Sequence, residues 1–167
     1  MIKVYQQIDS PTQGDCFKCA ICSLLELDYD VVPNFIEYGD DWLEMTCNFF
    51  RNLGYEFSAN CLWNPNVYYL EQPTADCFGL TGIDGSHCLD AIKPEDGIGG
   101  AFLACVYSPK YTTADEHPMN HLHSVLCDKD FNIIHDPQKA YEGLVMYPYS
   151  ILIGYNGIRN IDTVRKI

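Results

Sequence analysis

Helical periodicity is confined to the first third of the chain, and strand-like runs fill the part that follows. This order restricts the fold more than any other feature: helices first and antiparallel strands after predict an α+β domain with helices packed on a sheet. From Cys16 to Leu27, Ala20, Leu24 and Leu27 recur at helical spacing, and Phe17, Ile21 and Leu25 widen the apolar surface. This helix is therefore expected to be buried nearly all round, with Asp15 as its N-cap. Tyr29 to Phe35 reads as a short helix limited by Pro33, and Gln6 to Gly14 as a loop. Asp40 to Leu53 places Trp42, Met45, Phe49 and Leu53 on one side and stops at Gly54. Strands are expected at Tyr55 to Leu62, Gly79 to Ile83 and Ala101 to Tyr107, the last a continuous apolar run suited to a buried strand. His123 to Leu126 and Phe131 to His135 form a hairpin across Cys127-Asp128-Lys129-Asp130, and Ser150 to Tyr155 closes the sheet.

The chain has 167 residues, enough for one domain over 1–167 that buries roughly 70% of its unfolded surface. Its 23 acidic against 10 basic residues give a net charge of -13, which repels phosphate backbones and anionic lipid. No nucleic acid and no membrane partner is expected. Nine cysteines with no basic-then-apolar leader in Met1 to Asp9 point to a cytoplasmic protein with free thiols, most of them buried as small hydrophobes.

Three separated residues carry the chemistry. Cys16 opens a helix, where unpaired N–H groups and the helix dipole favour the thiolate, the nucleophilic form of the side chain. His123 begins a strand, and Asp136 follows the partner strand, so the hairpin brings imidazole and carboxylate together. A thiol, a base and the base's orienter are the parts of a covalent acyl-transfer site. Gly14 gives a substrate backbone room to approach, Asp15 and His121 are further cleft candidates, and the Cys16 backbone N–H is a candidate oxyanion donor. Pro137 fixes the backbone after Asp136.

Other patterns carry less. Cys16, Cys19 and Cys22 have a spacing that ligates clusters or zinc in loops, but a helix winds them progressively around its axis. His117, His121 and His123 lack an accompanying HExxH helix, so no metal and no cofactor is expected. His87 reads as a turn residue, and Trp63, Tyr68, Tyr69 and Tyr107 as core or rim.

Gly14-Asp15-Cys16-Phe17 with Ala20, Ser23, Leu24 and Leu25, then Val32-Pro33-Asn34-Phe35, resembles the N-terminal signature of small papain-like proteins of bacteria and their phages. His123-Ser124-Val125-Leu126 and His135-Asp136-Pro137 resemble their C-terminal signature, and the plan is similar to the bacteriocin-processing peptidase domains of exporters. The resemblance implies a papain-like α+β fold, with the helix bearing Cys16 packed on an antiparallel sheet. It implies Cys16 as nucleophile, His123 as base and Asp136 as orienter. It also implies a glutamine in the oxyanion hole. The usual place, six residues before the cysteine, holds Ser10, and the candidates nearby are Gln6, Gln7 and Gln13. Tyr5-Gln6 matches the Tyr-Gln pair of the phage-type proteins and favours Gln6. The expected function is a thiol-dependent hydrolase or acyltransferase acting on an amide or peptide bond of a peptide, protein or small molecule. The alternative is a papain-like binding protein that captures a peptide, a small molecule or a host protein in the host cytoplasm.

Overall fold

The computed structural model describes residues 1–61, 93–112, 122–144, 147–148 and 155–167. Helix α1 spans Cys16–Leu25 and helix α2 spans Trp42–Asn52, with 3-10 turns at Tyr29–Val31 and Phe35–Asp41 between them. The strands are β1 (Tyr55–Cys61), β2 (Phe102–Tyr107), β3 (Leu122–Cys127), β4 (Ile133–His135) and β5 (Ile158–Lys166). They form one sheet in the order β1-β5-β2-β3-β4, antiparallel at every step. The architecture is α+β, as the order of patterns predicts.

Helix α1 is buried nearly all round: Phe17, Cys19, Ala20, Ile21, Cys22, Ser23 and Leu24 are buried, and Cys16, Lys18 and Leu25 are half-buried. It stops at Glu26, which takes a left-handed conformation and returns its N–H to the Cys22 carbonyl. Phe17, Ala20, Ile21 and Leu24 pack with Leu103, Leu126, Phe57 and Val164 on one face of the sheet, and Phe50 of α2 stacks on Phe57 there. The opposite face has its own apolar cluster, built on Phe102, Val106, Val125, Ile158 and Ile161. Both faces of the sheet are therefore withdrawn from water.

One expected strand falls almost wholly outside the described residues and another is corrected. Of Ser150 to Tyr155 only Tyr155 is described, in the 3-10 turn Tyr155–Gly157, and the last strand among the described residues is Ile158–Lys166. It occupies the interior of the sheet between β1 and β2. The second hairpin strand is shorter than Phe131 to His135. The Asp128 carboxylate accepts from the N–H groups of Asp130 (2.8 Å) and Asn132 (3.0 Å), and Phe131 takes a positive φ of 63°. The turn thus consumes residues 131 and 132, and β4 pairs with β3 only at Leu126↔His135 and Cys127↔Ile133. The expected strand Gly79 to Ile83 and the residues Trp63, Tyr68, Tyr69, His87, His117 and His121 lie outside the described residues.

Candidate active site

The start of α1 is held by the segment that precedes it. Asp15 occupies the N-cap position, but its side chain makes no cap hydrogen bond. Its buried carboxylate turns back and accepts from Gln7 N–H and Ile8 N–H, both at 3.1 Å, and from the Tyr29 hydroxyl at 2.6 Å. Ser23 Oγ accepts from Val4 N–H at 2.8 Å, His135 Nε2–H donates to the Val4 carbonyl at 3.0 Å, and Gln6 N–H donates to the Pro137 carbonyl at 2.8 Å. Residues 4–8 are thereby laced between α1 and the end of β4. This lacing sets Gln6 beside Cys16.

The sheet contributes through a free edge. Because β4 is short, β3 before Leu126 has no partner strand on that side among the described residues. At this edge Ser124 N–H points to Cys16 Sγ, 3.5 Å away. Continuing the hairpin register by one residue sets Asp136 opposite Val125, on the same sheet face as His123. His123 Nε2 lies 2.6 Å from Asp136 Oδ1, with both side chains almost fully buried. A carboxylate only accepts, so Nε2 carries the proton and Nδ1 is left for the thiol of Cys16. Tyr141 meets the His123 ring edge-on at 5.7 Å.

The electrostatics follow from this geometry. Burial pushes the Cys16 thiol up, but the hydrogen bond and charge of His123, with the Ser124 N–H, outweigh it and hold the thiol below its ordinary value. Burial pulls His123 down, but Asp136 and Cys16 outweigh it and raise the imidazole to about 10. Both shifts favour the thiolate–imidazolium form of the pair. The other described thiols differ. Burial raises Cys22 to about 11 and Cys105 to about 12, and drives Cys19 and Cys127 higher still.

Cys16 and His123 face a narrow cleft whose walls include Gln6, Ser10, Ser108, Tyr111 and Tyr141. The loop holding residues 9–11 is tied across it: Lys110 Nζ meets Asp9 Oδ2 at 2.7 Å, and the Tyr111 hydroxyl donates to the Asp9 carbonyl at 3.4 Å.

The predicted residues separate into groups. The structure brings Cys16, His123, Asp136 and Gln6 together. It places Gln13 elsewhere: the residue is exposed and off the cleft wall, its N–H donating to Ser10 Oγ. Gly14 leaves no room for a substrate, because a Cβ there would lie 2.8 Å from the Ser10 carbonyl oxygen; the glycine is required by the folding of the loop on itself. Asp15 is fully buried and clamps residues 7 and 8 rather than facing a ligand. His121 lies outside the described residues. Sequence reasoning missed Tyr147, whose hydroxyl donates to Asp136 Oδ2, and the Ser124 N–H. Neither has a sequence signal, since one contact comes from a residue outside any helix or strand and the other from the backbone. Among the described residues no group of three or more His, Cys, Asp or Glu side chains is placed to hold a metal ion, and no helix is long and apolar enough to cross a membrane.

No protein-family model matches the chain, and no curated protein or solved structure matches it either.

Proposed function

We propose that this chain is a thiol-dependent hydrolase or acyltransferase of papain-like plan, acting on an amide or peptide bond through Cys16, His123 and Asp136. The observation that carries the reading is the His123 ring set between the Asp136 carboxylate at 2.6 Å and the Cys16 thiol, with thiol and imidazole shifted toward opposite charges. In the first step the Cys16 thiolate forms a C–S bond to the substrate carbonyl carbon, and the carbonyl electron pair moves to oxygen. The imidazolium gives its Nδ1 proton to the leaving nitrogen as the C–N bond breaks, which leaves a thioester and neutral His123. Water or an acceptor amine then loses a proton to His123 and attacks the thioester, and the thiolate departs beside the restored imidazolium. Asp136 keeps Nε2 protonated and Nδ1 aimed at sulfur throughout. The Cys16 backbone N–H, which begins the helix and has no intrahelical acceptor, and the Gln6 amide are the donors for the oxyanion.

Competition among the nine thiols tests this reading. At pH 7 limiting iodoacetamide should modify Cys16 first, located by peptide mass, and Cys16→Ser should abolish covalent capture and turnover of an acyl or peptide substrate library while the melting temperature holds. If Cys16→Ser keeps the wild-type function, the chain is a binding protein on the same scaffold.

A further inference from the structure

Asp136 is held by more than the histidine it faces. Oδ1 accepts from His123 Nε2–H at 2.6 Å and from Gln138 N–H at 2.7 Å, and Oδ2 accepts from the Tyr147 hydroxyl at 2.5 Å. Tyr147 is 2% exposed, its side chain set among Phe102, Val125 and Ile161 on the sheet face away from the helices. A carboxylate fixed through one oxygen still swings about its terminal torsion, which is broad. Donors on both oxygens fix its plane, and that plane sets the line along which it meets the imidazole.

We infer that Tyr147 is a positioning residue for the Cys16–His123–Asp136 reaction: its hydroxyl locks the Asp136 carboxylate and so fixes the direction in which the His123 ring presents Nδ1 to the thiol. The inference rests on the thiol-chemistry reading above. Tyr147 is poised for this role across the working pH range, because burial and the neighbouring Asp136 charge raise its phenol above the ordinary value and keep the proton on oxygen. It reaches the thiol only through Asp136 and His123, so its loss should disturb thiolate formation without removing any group from the cleft.

The test is the pH dependence of Cys16 alkylation in the full chain. Tyr147→Phe keeps the ring and deletes the donor. The acidic limb, where thiolate appears, should move up by about one unit, which at a fixed pH below the limb is about a tenfold lower rate. Ile161→Val loosens the same apolar cluster and leaves the hydrogen bonds in place; it should lower the melting temperature without moving the limb. In an Asp136→Asn background, Tyr147→Phe should add little, since its path to His123 is already broken. A second measurement needs no substitution: alkylating Cys16 in protein carrying 13C at tyrosine Cζ should shift the Tyr147 resonance. An unmoved limb in Tyr147→Phe, full additivity with Asp136→Asn, or an unshifted resonance would overturn the inference. Failure of the parent reading looks different, because wild-type Cys16 would then alkylate with the profile of an ordinary free thiol.

Discussion

Replacing Asp136 by Asn deletes a buried negative charge beside His123 while keeping an oxygen in almost the same place. With N···O contact at 2.6 Å, the charge centres of imidazolium and carboxylate lie about 4 Å apart. At an effective dielectric constant of about 20 their attraction is about 4 kcal/mol, or about three pKa units. His123 rises from 6.5 to about 10 because Asp136 and Cys16 together outweigh burial, and the Asp136 charge is large enough to be a main part of that rise. The imidazolium is the charged form, so its stabilisation is complete below the unfolded value near 6.5 and is lost as pH rises through about 10. In the Asn variant only Cys16 still opposes burial, so His123 should titrate well below 10 and the thiolate–imidazolium pair should dissolve at lower pH than in the wild type. The assay is an NMR titration of 13C-labelled histidine rings, with His123 assigned among the five histidines by its own substitution. Cys16 alkylation at pH 7, measured in parallel, should slow by about tenfold for each pKa unit by which the thiol moves above neutrality. A His123 that still titrates near 10 in the variant would refute the charge argument and leave Cys16 as the source of the shift.

Phe50→Ala should cost about 3–5 kcal/mol in denaturant unfolding, because Phe50 is 0% exposed and stacks on Phe57 at 5.2 Å; a loss under about 1 kcal/mol would show that the helix–sheet contact is not a packed core. Lys110→Ala removes the exposed ion pair with Asp9 that ties the loop across the cleft. The melting temperature should hold while a bulky maleimide gains on iodoacetamide in modifying Cys16, and about 0.5 M salt should act on the wild type in the same direction. An unchanged reagent ratio would show that the tie does not govern access.

The parts of the fold that were legible in the sequence are those fixed locally. Helix α1, helix α2 and strands β1 to β3 follow from spacing, and the contact of His123 with Asp136 follows from one hairpin. The position of β5 was not legible. Its buried run contains Arg159, Asn160, Asp162 and Thr163, so polar residues interrupt the apolar pattern that would mark an interior strand. Those polar groups partner one another along the strand, through the Arg159–Asn160 and Asn160–Asp162 hydrogen bonds. The same limit explains the site. Asp15 has the identity and place of an N-cap, yet two N–H groups of the preceding loop and the Tyr29 hydroxyl claim its carboxylate. Gly14 reads as room for a substrate until the Ser10 carbonyl is seen to fill that space. Gln6 is already favoured over Gln13 by the Tyr5-Gln6 pair, but its physical reason, the lacing of residues 4–6 to Ser23, His135 and Pro137, lies in long-range contacts.

Helix α1 works as a ruler between the core and the sulfur. Each residue along an α-helix advances about 1.5 Å and turns about 100°. A slip of one residue in how Phe17, Ala20, Ile21 and Leu24 seat on the sheet would carry Cys16 Sγ out of reach of both the Ser124 N–H and the His123 ring. The aliphatic and aromatic residues beneath the first helix therefore set the aim of the thiol, and variation among them is constrained by reactivity as well as by stability. A library that randomises these positions and selects only for folding should recover many stable chains, of which few keep a fast-reacting Cys16.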